Sequence, residues 1–395
     1  MLNFLYDLSA TQPSPQSKFH GGGEYGEVVF FKLLEYTDKI NLCAYYDSKS
    51  YINPDLLKAA EEKNVKIFDI QKKSLAEIIS EEKIDRAYSA MLNLNQNWPL
   101  GQLEVYTTVH GLRTLEKPTD PVMLCYEKNK KQLIIDVLFM TIFKKWYEKK
   151  LKVINGRLVT DSRINVITIS RHSKASIETF YPETKSRNIP VFASPTFDQL
   201  DNYKSVSSAL DDSRLNDFCI TKGKFFLITS AARWNKNALR AVLAFDQLVS
   251  DGSLTGFNLV VTGVTDKKVF SRHIKNKDAV KLLSYVERDE LELLNRSAYA
   301  FIYPSLNEGF GYPPIDSMKY RVPVLASGTT SIPEVCGDAA VYFDPYSVSE
   351  IKNRIIQILD ENFYKELQKK SEIRHDYITA KQKKDLNDLA EYLIR

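Results

Sequence analysis

Cysteine is scarce in this sequence. Its four copies, Cys43, Cys125, Cys219 and Cys336, stand far apart with no paired spacing. That argues against a disulfide framework or a thiolate zinc site and fits a reducing, cytoplasmic setting. Charge of one sign is also lacking: 54 Lys and Arg against 50 Asp and Glu leave a formal net charge of +4. Such a balance argues against a dedicated nucleic-acid binder. No apolar run approaches the roughly 20 residues needed to span a bilayer. The opening run Met1–Asp7 lacks the basic start and long apolar core of a secretory signal. No repeat recurs at a solenoid period. What remains is an ordinary soluble globular composition, 44% hydrophobic and 26% charged over 395 residues. At this length two domains with separate cores are expected.

Short apolar runs alternate with longer helical stretches throughout, which predicts parallel α/β architecture. In the first half the strand candidates are Leu2–Tyr6, Ile40–Tyr46, Val65–Ile70, Glu104–His110, Asn165–Ser170 and Val191–Ala193. In the second half they are Lys224–Thr229, Asn258–Gly263, Val280–Leu283, Ala298–Tyr303, Val322–Ser327 and Ala340–Phe343. A polar stretch poor in apolar runs separates the two series. The expected division is a domain over 1–200, a linker over 201–222, a second domain over 223–375 and a C-terminal helix over 376–395 that packs either back on the first domain or on its own. Within that last segment Leu386, Leu389, Tyr392 and Leu393 are spaced for one helical face.

The densest signal is Pro304-Ser305-Leu306-Asn307-Glu308-Gly309-Phe310-Gly311-Tyr312-Pro313-Pro314-Ile315-Asp316. It follows an apolar strand, and Ser317 onward reads as a helix with Asp316 near its start. Glu308 and Asp316 bracket glycines that let a backbone approach a ligand closely. Carboxylates there can accept hydrogen bonds from sugar or ribose hydroxyls, and helix-start N–H groups can receive a phosphate. A second strand-to-helix passage, Thr229–Arg240, carries Arg233 and Lys236. In the first half, Gly21-Gly22-Gly23 precedes a helix and can bring N–H groups against a phosphate or an acceptor. His110 stands at a strand end, where parallel sheets place ligands.

The Pro304–Asp316 motif resembles the donor site of the retaining family-4 glycosyltransferases of the GT-B fold. The resemblance continues through Arg321–Ser327, Ile332–Ala340 and Tyr342–Pro345 and extends over nearly the whole chain. One departure is the second acid, Asp316 in place of the usual Glu. The resemblance implies two Rossmann-like domains facing across a cleft and transfer of a sugar from a nucleotide-diphosphate donor with retention of anomeric configuration. It implies Glu308 and His110 at the transferred sugar. Lys236 and Arg233 would bind the diphosphate, Gly309, Phe310, Gly311 and Asp316 the donor, and the backbone at Val286 the base. Gly21, Gly22 and Gly23 would form a phosphate or acceptor loop. The acceptor would be a saccharide or a lipid-linked saccharide, with surface polysaccharide synthesis as the setting. No cofactor is expected, because the sequence has no Asp-x-Asp pair and the cations would replace a metal's charge. Ser170–Lys174 is expected to cap a helix. The lysines and aromatics of Phe143–Lys152 suit either a solvated face or peripheral contact with an anionic inner-membrane face. Two other classes carry forward: a non-catalytic nucleotide- or saccharide-binding subunit of the same fold, and a nucleotide-sugar epimerase.

Overall fold

The computed structural model describes residues 1–13, 21–96, 98–127, 129–200 and 210–395. Two compact units emerge. The first comprises Met1–Leu112, Lys152–Ser205 and Thr379–Arg395; the second comprises Arg113–Leu151 and Val206–Ile378. The last residues of the C-terminal helix take the first of the two placements open to them, and only 113–151 depart from the expected division. Residues 113–151 pack with the second unit, and 379–395 with the first. The expected linker lies in part, over 201–209, outside the described residues.

The first unit holds β1 (Leu2–Asp7), β2 (Ile40–Tyr46), β3 (Lys66–Asp69), β4 (Arg86–Ser89), β5 (Glu104–Val109) and β6 (Ile164–Thr168). They form one sheet in the order β3-β2-β1-β4-β5-β6, every pairing parallel. The expected strand Val191–Ala193 makes only a bridge from Val191 to Thr168. β4 was not anticipated. Its Arg-Ala-Tyr-Ser sequence looks polar, yet all four residues are buried. Arg86 is accommodated because Nε donates to Glu104 Oε2 at 2.7 Å and Nη1 to the Leu393 carbonyl at 2.7 Å. A buried guanidinium needs such partners.

The second unit holds β7 (Phe225–Ile228), β8 (Asn258–Val261), β9 (Val280–Leu282), β10 (Ala300–Tyr303), β11 (Val324–Ser327) and β12 (Ala340–Phe343). Their order is β12-β11-β10-β7-β8-β9, again all parallel. Both sheets therefore wind from a central strand pair, β1/β4 in one and β7/β10 in the other. The second sheet is covered on both faces, which is why its strands read as unbroken apolar runs. Phe226, Ile228, Val261, Ile302 and Phe343 enter one buried cluster. Their neighbours Phe225, Leu227, Val260, Phe301 and Tyr303 enter another. This is the period-two alternation of a strand with both sides buried.

A single helix, Glu361–Ile394, closes the chain and starts well before the expected 376. Its last turns bury Leu386, Leu389 and Leu393. Gln382 Nε2 donates to the Ser194 carbonyl at 2.6 Å, and the Ala193 N–H donates to Asp385 Oδ2 at 2.7 Å.

Candidate active site

A doubly wound sheet leaves a crevice outside the strand carboxyl ends at the point where the winding reverses. In the second unit that point lies between β7 and β10, which pair directly. The loop after β7 carries Thr229–Asn237, and the loop after β10 carries Pro304–Gly311. The two are laced together. The Leu306 N–H donates to the Asn235 carbonyl at 2.9 Å. Asn237 Nδ2 donates to the carbonyls of Pro304 at 3.0 Å and Pro345 at 2.7 Å. Its Oδ1 accepts from Arg240 Nη1 at 2.8 Å. Asn237 does this from a left-handed backbone, φ +57°, a conformation that Asn tolerates better than most residues.

This lacing sets Lys236 against Glu308. Lys236 Nζ donates to Glu308 Oε1 at 2.6 Å, with both side chains buried. Ser305 Oγ donates to the same oxygen at 2.5 Å. The loop is fixed from behind: the Glu308 N–H donates to Thr330 Oγ1 at 3.1 Å, and Ser331 Oγ reaches the Glu308 and Phe310 carbonyls at 2.9 and 2.8 Å. Burial acts to raise the carboxyl of Glu308. The charge and hydrogen bond of Lys236, the hydroxyl of Ser305 and the charge of Arg113 outweigh burial and hold it at about 2. Glu308 is thus a carboxylate at neutral pH and a poor proton donor. Burial pushes the Lys236 ammonium down, with Glu308 pulling it back and Arg233 and Arg113 opposing. Burial and then repulsion by Arg113 also lower the Arg233 guanidinium. Burial, reinforced by the charge of Glu308, drives the Tyr303 phenol well up and keeps it protonated. One carboxylate among three cations describes a site prepared for an anion.

The remaining expected donor residues fall around this pair in different ways. Gly311 takes φ +110°, a conformation that favours glycine, and caps the helix Tyr312–Met318. Phe310 is buried with its ring 5.5 Å from that of Tyr312, and Gly309 is half-buried between Glu308 and Phe310. Asp316 does not lie near a helix start. The helix begins at Tyr312, four residues earlier, because Gly311 provides the turn and proline is tolerated in the first turn. Asp316 is exposed on its fifth residue. Val286 is half-buried in the connection before the helix Arg288–Ser297. The neighbouring acids cap that helix, the Glu287 N–H donating to Glu290 Oε2 at 3.0 Å.

In the first unit the winding reverses between β1 and β4, which pair directly. A cavity of about 360 Å³ opens there, lined by residues that include Asp7, Ser9, Met91, Asn93 and Gln96. Gly21, Gly22 and Gly23 are not a loop before a helix; they are the first turn of the helix Gly21–Leu33. Their neighbour His20 lies outside the described residues. A methyl group on Gly22 would sit 2.6 Å from Met91 Sδ, near the flexible end of an exposed side chain. His110 follows β5. Its Nε2 lies 3.0 Å from the Ala90 carbonyl, and its ring meets Tyr25 edge-on at 4.9 Å. Ser170 caps the helix Arg171–Phe180, accepting from the Ser173 N–H at 3.1 Å.

Two site residues escaped the sequence reading. Asn237 directly follows Lys236, but its role depends on carbonyls at Pro304 and Pro345, far along the chain. Arg113 stood beside the first-unit histidine in sequence, and only the packing of 113–151 with the second unit brings it to Glu308.

Comparison with known proteins fits this geometry. Residues 217–384 match the family model for glycosyl transferases group 1. An O-antigen chain mannosyltransferase B from Escherichia coli is 41% identical over 88 residues, 22% of this chain and 23% of that protein. The O-antigen chain mannosyltransferase RfbU from Salmonella typhimurium is 31% identical over 188 residues, 46% of this chain and 47% of that protein. The matches thus span less than half the length of these curated relatives. A crystal structure of a glycosyltransferase from Rickettsia africae superposes with a TM-score of 0.64 at 14% identity, over 100% of this chain and 99% of that one. Residues 217–384 thus resemble the glycosyl transferases group 1, and the two parallel six-stranded sheets share the GT-B fold of the structural neighbours.

Proposed function

We propose that this protein is a retaining, metal-independent glycosyltransferase. It moves a mannosyl or related sugar from a nucleotide-diphosphate donor to a saccharide or lipid-linked acceptor in surface polysaccharide synthesis. The observation that carries this reading is the buried Lys236–Glu308 pair, with surplus guanidinium charge around it, at the winding reversal of the second sheet. The names of the relatives favour mannose. In the proposed reaction the bond between the sugar's anomeric carbon and the diphosphate oxygen breaks. The acceptor oxygen bonds to that carbon on the same face, and its proton passes to the departing phosphate oxygen. Lys236 and Arg233 stabilise the charge that builds on the diphosphate, the part a bound metal would otherwise take. Glu308, ionised throughout, supports positive charge on the sugar, and His110 contributes a hydrogen bond to the reacting sugar.

The test is a turnover screen of GDP-, UDP-, dTDP- and ADP-sugars with saccharide acceptors, with and without EDTA, followed by NMR of the product. Diphosphate release from one donor, unaffected by EDTA, with the donor's anomeric configuration in the product is expected. Release only with a divalent cation would end the metal-independent reading, and an inverted product would end the retaining one. Conversion of the donor without any acceptor would point to an epimerase. Nucleotide binding without turnover would point to a binding subunit.

A membrane-surface location at the cytoplasmic face is part of the same proposal. No helix among the described residues is long and apolar enough to cross a membrane. The helices Lys130–Met140 and Lys144–Val159 nevertheless flank or carry exposed Ile134, Ile142, Phe143 and Trp146, at 60, 73, 47 and 55%. Lys144, Lys145, Lys149 and Lys150 are exposed beside them. Apolar side chains rimmed by lysines match an anionic lipid surface in both chemistry and charge. Cosedimentation with phosphatidylglycerol vesicles is expected for the wild type and lost in I142E/W146E. Equal binding to phosphatidylcholine vesicles, or none to either, would refute it.

A further inference from the structure

Arg113 lies far in sequence from the second-unit segments around Lys236 and Glu308, yet the fold brings its charge to Glu308. It opens a strap that is fastened to the second unit at successive points. Asn307 Nδ2 donates to Glu116 Oε2, one residue from Glu308. Arg240 Nη2 donates to Asp120 Oδ1 at 2.9 Å, and Lys117 Nζ lies 3.2 Å from Asp120 Oδ2. Val122 enters the apolar cluster around the helix Ala238–Ser250, and the ring of Tyr126 meets Phe270 edge-on. Arg113 is therefore held in place by its neighbours and does not hold them.

Its guanidinium adds charge beside Glu308 but leaves one donor unused in the unliganded protein. Arg113 Nε is buried, and among the described residues it has no hydrogen-bond partner. Thr229 Oγ1 and Asn235 Nδ2, on the loop that carries Arg233 and Lys236, are buried without partners too. Lys236 is matched by Glu308, while Arg113 and Arg233 repel one another. A buried guanidinium donor without an acceptor costs free energy unless a ligand completes it.

We propose that Arg113 is a third cation of the donor site and donates its free N–H to the diphosphate of the nucleotide sugar. This assignment rests on the donor-site reading above and extends it to a residue of the strap, which the chain contributes from its first half. It also gives the strap a purpose: ordering residues 113–126 on the second unit completes the anion site.

Isothermal titration with GDP and UDP, alongside thermal melting without ligand, tests the assignment. R113Q is expected to bind the preferred diphosphate about 10- to 100-fold more weakly, the usual loss for one charge-assisted hydrogen bond. R113K should recover part of that loss. Because R113Q removes repulsion toward Arg233 and Lys236 together with attraction to Glu308, its unliganded melting temperature is expected to stay level. Unchanged diphosphate affinity in R113Q overturns the proposal. So does a fall in melting temperature that accompanies the loss of affinity and is not relieved in R113K, since Arg113 would then be structural. If the wild type binds neither GDP nor UDP, the donor-site reading itself fails and this assignment with it.

Discussion

Glu308→Gln is expected to lower sugar transfer by about 10³-fold, on the scale of removing a group that stabilises transition-state charge, and to destabilise the fold as well. The second effect follows from the structure. The substituted amide would still accept hydrogen bonds from Ser305 and Lys236, but the buried ammonium of Lys236 would lose its counter-charge. Breaking one partner of a buried pair costs about 3–5 kcal/mol, and the retained hydrogen bonds place this case at the lower end. Lys236→Met should cost a similar amount by stranding the carboxylate. The double variant E308Q/K236M should regain part of that stability and remain inactive, because the paired charges leave together while Arg233 and Arg113 lose the carboxylate they face. Urea denaturation and turnover of the three variants measure both effects. Near-normal turnover in E308Q would remove Glu308 from the mechanism, and additive stability losses would deny the pair. The pH dependence has a definite sign. The carboxyl is depressed, so the stability it contributes is complete above its ordinary value near 4.5 and is lost as pH falls toward about 2. An activity limb between about pH 5 and 8, where histidine normally titrates, therefore belongs to another group.

Asn237→Ala is the second large effect, expected at about 3–5 kcal/mol. The substitution removes the donor to two buried carbonyls and the acceptor for Arg240, and orphaned buried groups cost about 1–3 kcal/mol each. It also puts alanine at φ +57°. Asn237→Gly loses the same hydrogen bonds but tolerates the backbone, so it should be about 1 kcal/mol less damaging than alanine. Turnover should fall in both, because the loops that carry Lys236 and Glu308 are no longer tied. Equal stability of the alanine and glycine variants would exclude the backbone contribution. A loss under about 1 kcal/mol in the alanine variant would exclude the lock itself.

The second unit was legible because its physics is local. Its inner strands, buried on both faces, appear as apolar runs bounded by polar turns, and the loops after β7 and β10 carry their charged residues in one short stretch each. The first unit was less so. Arg86–Ser89 hides as a strand because its buried arginine is satisfied by residues as distant as Leu393, whereas Val191–Ala193 has the composition of a strand and forms only one bridge. Asp316 was misplaced because a turn at Gly311 followed by proline starts a helix earlier than its apolar residues announce. Arg113 and Asn237 stand within segments that resemble the family's, but nothing local assigned either of them a role. Their roles depend on contacts that chain spacing does not encode.

The membership of the final helix has a consequence for how the protein is made. Residues 379–395 complete the unit that contains Met1, and they leave the ribosome only after the whole second unit has been synthesised. Until then Arg86 lacks the Leu393 carbonyl, and the backbone around Ala193 and Ser194 lacks Asp385 and Gln382. Domains generally fold in the order of synthesis, but here the unit that starts first is finished last. The nascent first unit must wait, with the arginine of its buried strand unsatisfied, until Leu393 has been made.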